Sequence, residues 1–292
     1  MRIDLHTHSD VSDGTLTPTE LVRAAAESGI DVLGLTDHDT AAGWAAAEAA
    51  ALEAGVTLVR GLEISTRHAG RPVHLLGYLV DPTYPPLVTA LGMILDGRNS
   101  RVPAILERLR ALGIAIDAAD VRRVAPHARA TGRPHIADAL VDLGVVRHRD
   151  AAFRELLNPG RPAYVDRYAA SLEEMIGLVV AAGGVAVLAH PWARADPVSL
   201  QRDGLAHLQS LGLTGVEVDH QDHAPGDRHR LRALARELGL VVTGASDFHG
   251  EGKTDHDLGC NTTSPEDLDA LLAVAEAAGR ASGRMTPQVV CP

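Results

Sequence analysis

Aromatic side chains are scarce in this chain of 292 residues: two Trp, four Tyr and two Phe, 3% of the whole. Hydrophobic residues still reach 46%, so the core must be built from Ala, Val and Leu. A chain this long can bury enough surface to fold without a disulfide or a structural metal. Cysteine is equally sparse. Cys260 and Cys291 form no CxxC pair, which argues against disulfides and thiolate zinc sites and fits a reducing cytoplasm. The opening Met1-Arg-Ile-Asp-Leu reads as a strand rather than a signal peptide. No window approaches the ~18 apolar residues of a membrane span. Positive charge is short as well: 27 basic against 38 acidic residues give −11. Broad binding to duplex DNA needs a basic face and is disfavoured. A small anionic ligand is not, because metal charge can dominate a site locally.

What the chain has in excess is histidine, 15 residues, several beside carboxylates. The N-terminal third alternates strand and helix. Ile3–Leu5 reads as a strand, and Thr17-Pro-Thr-Glu20 as a capping box opening a helix that Gly29 stops. Val32–Thr36, Val56–Ile64 and Val73–Tyr78 read as further strands, with an Ala-rich helix running to about Ala54. The rhythm returns late: helix 171–182, strand 185–189, helix 198–211, strand 215–218, helix 227–238, strand 240–245. Alternation of this kind implies an α/β fold with a parallel sheet, and so many units suggest a closed barrel. Between Asp96 and Tyr168 the rhythm breaks into an arginine-rich helical stretch without a clear strand. The expected organisation is therefore a barrel over 1–95 and 169–292, with a helical insert over 96–168.

Polar residues recur where apolar strands end. His6-Thr-His8 places two imidazoles on one face of a strand, within reach of one ion. Ser12-Asp13-Gly14 adds a carboxylate in the next turn. Thr36-Asp37-His38-Asp39 follows a strand; Asp37 and Asp39 read either as caps or as partners that fix the His38 tautomer. Glu63, in Gly61-Leu-Glu-Ile64, closes another strand and would need a cation nearby if buried. His74 alone reads more readily as a core histidine than as a ligand. Ala186-Val-Leu-Ala-His190-Pro191 and Gly244-Ala-Ser-Asp247-Phe-His249-Gly repeat the pattern. Chance supplies one or two such coincidences; a run of them points to a metal cluster.

Taken together, HTHSDVSDG, TDHD, GLEI, HLLGY, AHP and GASDFHG resemble the PHP (polymerase and histidinol phosphatase) superfamily, from residue 6 to 249. Thr131-Gly-Arg-Pro-His-Ile-Ala137 resembles the subgroup of 3′,5′-nucleoside bisphosphate phosphatases with a helical insert. The resemblance implies a distorted (β/α)7 TIM-like barrel and two or three divalent ions, manganese first, with iron or zinc as alternatives. The implied ligand sets are His6, His8, Glu63 and Asp247; Glu63, His74 and His190; and Asp13, His38 and His249. Three divalent ions against three carboxylates would leave about +3, a charge suited to a phosphate dianion.

The activity implied is attack on a phosphomonoester by a hydroxide bridging the ions. Arg133 and His135 would hold the uncleaved phosphate or assist the leaving oxygen, with His38 also catalytic. His220 and His223 would line the substrate pocket, the resemblance giving them no ligand role. The expected partner is a small phosphorylated nucleotide, with short RNA as the alternative; scarce aromatics favour the former. A non-catalytic metal module and an amidohydrolase are the readings from other classes.

Overall fold

The computed structural model describes residues 1–129, 131–194 and 198–292. Eight strands form one sheet: β1 (Ile3–Thr7), β2 (Val32–Leu35), β3 (Thr57–His68), β4 (Arg71–Tyr78), β5 (Ala170–Ser171), β6 (Val185–Ala189), β7 (Leu213–Asp219) and β8 (Val241–Gly244). The order is β1-β2-β3-β4-β6-β7-β8, with the short β5 added beside β3. The sheet curls, and Thr7 bridges Phe248 just past β8, so its first and last strands lie side by side.

The expected parallel pairing holds for β1-β2-β3 and for β6-β7-β8. It fails at β4, which is antiparallel to both β3 and β6. The cause lies in Ala69 and Gly70, whose φ values of 47° and 76° make a two-residue reversal of the twist that hairpins favour. A tight hairpin leaves no room for a crossover helix. It also carries β3 past Ile64 to His68, so Glu63 and His74 lie within strands instead of ending them.

Alternation along the strands sorts the core into two layers. Leu75 and Leu188 pack outward with Leu21, Val22 and Ala47 of the flanking helices Pro18–Glu27 and Trp44–Ala54. Leu76 and Val187 belong to an inner cluster with Ile3, Leu5, Val59 and Tyr78. Thr17 caps the first helix through the expected reciprocal bonds with Glu20. On β1, strict alternation after Ile3 and Leu5 would turn His6 and His8 outward. The register slips between Asp4 and Thr7, and an irregularity of this kind re-aims side chains.

Among the described residues between 96 and 168 there are helices and no strand. Residues from Val102 to Ala163, including Ile105, Leu109, Ile136, Leu140 and Leu157, share a hydrophobic cluster of their own. The helix Pro85–Ser100 crosses the expected boundary at Asp96, with Leu87, Ala90 and Ile94 packed into the outer layer of the sheet.

Candidate metal centre

At one rim of the curled sheet, side chains from six strands or their exits converge. His6 Nε2 and His8 Nε2 stand 3.0 Å apart. Glu63 Oε2 lies 3.3 and 3.1 Å from them, and Asp247 Oδ1 3.5 and 3.3 Å. The other oxygen of Glu63 is 2.5 Å from His74 Nδ1 and 3.0 Å from His190 Nε2. On the far side, Asp13 approaches His249 Nε2 at 3.3 Å and His38 Nε2 at 3.7 Å. His8, Asp13, His38 and His249 thus form one group able to hold an ion; His6, His8, Glu63 and Asp247 form another; His38, Glu63 and His74 a third. Glu63 faces both sides because a carboxylate has two oxygens, and its oxygens are divided between different imidazoles.

Among the described residues neither Asp13 Oδ1 nor Asp247 Oδ1 finds a hydrogen-bond donor, although both are buried. Buried acceptors normally find donors. Acceptors without donors, ringed by imidazole nitrogens, fit an N/O-ligated divalent cation. The proton affinities agree. Burial alone would raise the Glu63 carboxyl, but the imidazoles of His74, His38 and His6 hold it well below the usual range. Against the same opposition, His38 and His249 depress Asp13, and Lys253 with His6 depresses Asp247. Burial pulls His8 down, yet the carboxylates of Asp247 and Glu63 beside it raise it to about 9. His38 falls to about 3, through burial reinforced by Arg98 and His8. The pocket attracts protons where cations would sit, and keeps His38 as the neutral imidazole that a ligand requires.

Asp37 and Asp39 touch neither nitrogen of His38; they staple the loops together. Asp37 takes Ser9 N at 2.8 Å, Ser9 Oγ at 2.6 Å and Ser12 Oγ at 2.6 Å. Asp39 takes Ser65 N at 2.7 Å and Arg98 Nε at 2.7 Å, binding the second motif to the third. Gly14 allows the first loop to fold back: a Cβ there would meet His8 O at 2.3 Å. Asp39, His190 and Asp247 have φ of 58°, 26° and 53°. Such backbone costs on the order of 1–3 kcal/mol per residue and persists where surrounding contacts over-determine it.

Two neighbours of the cluster, Glu217 and Lys253, carry no expectation from the sequence, and a third, His220, bonds directly to a donor. Glu217 on β7 accepts from His6 Nδ1 at 3.0 Å and from the backbone N–H of His190 at 3.0 Å, orienting the His6 ring and pinning the main chain at His190. An acid inside an otherwise apolar strand was its only signal. His220, expected in the substrate pocket, is part of the cluster. Its Nδ1 accepts from Asp222 N, so Nε2 donates to Asp247 Oδ2 at 3.1 Å. Lys253, the only lysine in the chain, reaches the same oxygen at 2.5 Å.

The residues expected to contact substrate have partners inside the protein. His135 is buried; Nδ1 accepts from Gly132 N at 2.9 Å and Nε2 donates to Ser12 O at 2.7 Å, so both nitrogens are engaged inside the protein. His223 is likewise closed, between Val218 O at 2.9 Å and Trp192 N at 3.2 Å. Arg133 donates to Leu157 O at 3.0 Å, its guanidinium lying over Phe153 and Tyr164. The helical segment grips the first loop by its peptide carbonyls. Arg129 N reaches Val11 O at 3.0 Å, His135 reaches Ser12 O, and Arg149 reaches Asp13 O at 3.2 Å.

A curled mixed sheet with a histidine-carboxylate cluster at its rim defines a metal-dependent hydrolase, and the chain belongs to the PHP family. The PHP domain model matches residues 4–109. Over 257 residues the chain is 38% identical to a 3′,5′-nucleoside bisphosphate phosphatase of Chromobacterium violaceum, covering 88% of this chain and 90% of that one. It is 36% identical over 248 residues to a 5′-3′ exoribonuclease of Haemophilus influenzae, covering 85% and 90%. A solved structure from Bifidobacterium adolescentis, assigned as a metal-dependent phosphoesterase, superposes with a TM-score of 0.87 at 36% identity, covering 93% and 96%. The protein is accordingly a metal-dependent phosphoesterase of this family.

Proposed function

We propose that the enzyme removes the 3′-phosphate from nucleoside 3′,5′-bisphosphates, using two or three divalent ions, manganese in the first instance. The observation that carries this reading is the convergence of nine donors, His6, His8, Asp13, His38, Glu63, His74, His190, Asp247 and His249, in overlapping groups that could each hold an ion. Ions held there would lower the pKa of a bound water and stabilise the charge that develops on phosphoryl transfer. The chain's own residues prepare the site. Glu217 fixes the orientation of the His6 ring, as outer partners of metal ligands commonly do, and holds the main chain at His190. Lys253 and His220 occupy Asp247 Oδ2, leaving Oδ1 to face the imidazoles. Burial of all of these donors but the half-buried His38 strengthens the electrostatics of the pocket.

This reading treats the sheet as a distorted (β/α)7 barrel and residues 96–168 as a helical insert that borders the substrate. Arg133 serves the phosphate that is not cleaved, and His135 holds the loop bearing Asp13. A reducing cytoplasm suits the two exposed, unpaired cysteines. Among the described residues no helix is long and apolar enough to cross a membrane.

The second reading, 5′-to-3′ trimming of short RNA, rests on the likeness to the Haemophilus exoribonuclease. Manganese-loaded protein is to be assayed on adenosine 3′,5′-bisphosphate and on a short 5′-phosphorylated RNA. Preference for the bisphosphate supports the proposal; strong preference for the RNA reverses the ranking. No turnover of either refutes both.

A further inference from the structure

We propose that Lys253 sets the charge balance of the metal centre: its ammonium loosens the hold on divalent ions and, once they are bound, tightens the hold on the phosphate being cleaved. The inference deepens the phosphoesterase reading and rests on the metal centre proposed above.

Lys253 is the only lysine among the 27 basic residues of the chain. Its side chain is only 17% exposed, and Nζ lies 2.5 Å from Asp247 Oδ2. A more open carboxylate is at hand in Asp222, whose side chain is 41% exposed, yet Nζ stays 3.8 Å from it. The ammonium thus favours the buried acid, which is a candidate metal donor. Among the described residues no other lysine or arginine pairs with the carboxylate of Asp13, Glu63 or Asp247.

The turn that delivers Lys253 is tied on both sides. Gly252 N donates to His249 O at 3.3 Å, and Glu251 N to Thr15 Oγ1 at 3.1 Å. One bond fixes it to a candidate ligand, the other to the loop that carries Asp13. An ammonium is a compact point charge, unlike the planar fork of arginine.

A positive charge one carboxylate away from the cluster repels a divalent ion and attracts a phosphate dianion. Burial keeps solvent and salt from screening either effect. The same charge offsets Glu217, which adds a fourth acid to Asp13, Glu63 and Asp247 through its bond to His6. The orientation of Asp247 does not depend on Lys253 alone. His220 Nε2 donates to the same oxygen at 3.1 Å, so Oδ1 should still face His6, His8 and His249 without the ammonium. That redundancy lets charge be separated from positioning.

Two calorimetric titrations test this without turnover of a nucleotide. Manganese is added to metal-free protein, and inorganic phosphate to manganese-saturated protein, at one pH and one salt concentration. Lys253→Met should bind manganese about tenfold more tightly and phosphate about tenfold more weakly, well below the full Coulomb effect of a buried unit charge. Asp222→Asn removes an acid from the other side of the ammonium. It should shift both constants the opposite way, by about two- to threefold, because this side chain is exposed and screened. Should Lys253→Met not fold, Asp222→Asn carries the test by itself. Weaker binding of both ligands by Lys253→Met would make Lys253 a mere holder of Asp247 and overturn the proposal. Unchanged constants in both variants would overturn it too. A parent protein that binds no manganese refutes the metal centre and this inference together, whereas failure of the nucleotide reading alone alters neither titration.

Discussion

The curled sheet and the helices of residues 102–163 meet at the loop that follows His8, yet they bring opposite chemistry to it. The sheet side supplies imidazoles and the carboxylates Asp13, Glu63, Glu217 and Asp247, each held by strands or strand exits. The helical side supplies none of these donors. It presents guanidinium groups, and its direct hold on the loop is through the carbonyls of Val11, Ser12 and Asp13. The metal-capable donors therefore sit on a hydrogen-bonded sheet, while support for the loop comes from a separately packed set of helices. Rigid elements position reacting groups better than loops do.

The comparison can be broken most severely on the sheet side. His190→Ala and Asp247→Ala should each lower turnover by about 10³-fold or more, because several kcal/mol of ion-derived stabilisation depend on the donors. Circular dichroism should still report a folded protein, and near-parental turnover in both would dispose of the cluster as the catalytic site. Glu217→Gln keeps the shape but weakens the hold on His6, so metal affinity should fall about 10–100-fold. Manganese titration reads this directly, and unchanged affinity would reduce Glu217 to a packing role.

Acidity offers a graded probe. Because His8 is raised to about 9 in the metal-free protein, binding an ion must displace its proton at neutral pH. Apparent affinity should therefore rise with pH, by about tenfold per unit for each proton released, and level off above about 9. A flat profile from pH 6 to 9 would contradict that proton count. The smallest effect on turnover is expected on the helical side. His135→Ala strands the Ser12 carbonyl and the Gly132 N–H, costing about 1–3 kcal/mol of stability. Turnover at saturating manganese should largely survive. If instead KM for substrate rises steeply with no change in melting, His135 contacts substrate after all.

Much of the centre was legible because its donors lie in or just after apolar strands, where a polar residue is conspicuous. His6, His8, His190 and Asp247 announce themselves in this way. Glu217 and Lys253 did not. Glu217 acts through other residues, and the sequence does not say which rings it will meet. Lys253 stands in a loop whose path depends on tertiary contacts. The antiparallel hairpin was missed because Ala69-Gly70 is weaker turn chemistry than Asn-Gly. Asp37 and Asp39 read from the sequence as caps or as partners of His38, whereas both reach across to neighbouring loops. Contacts over long sequence separation leave no periodic trace. The roles expected of His135 and His223 came from likeness and position, which do not reveal that both ring nitrogens of each are engaged.

A clasp that closes on main-chain oxygens is indifferent to the side chains it passes over. Val11 could be exchanged for many residues without loosening the contact from Arg129, because only its carbonyl takes part. Gly14 enjoys no such latitude, since any larger residue would collide with the chain at His8. Saturation mutagenesis of this short loop should thus yield tolerance at Val11 and intolerance at Gly14, a map of backbone path rather than of chemistry.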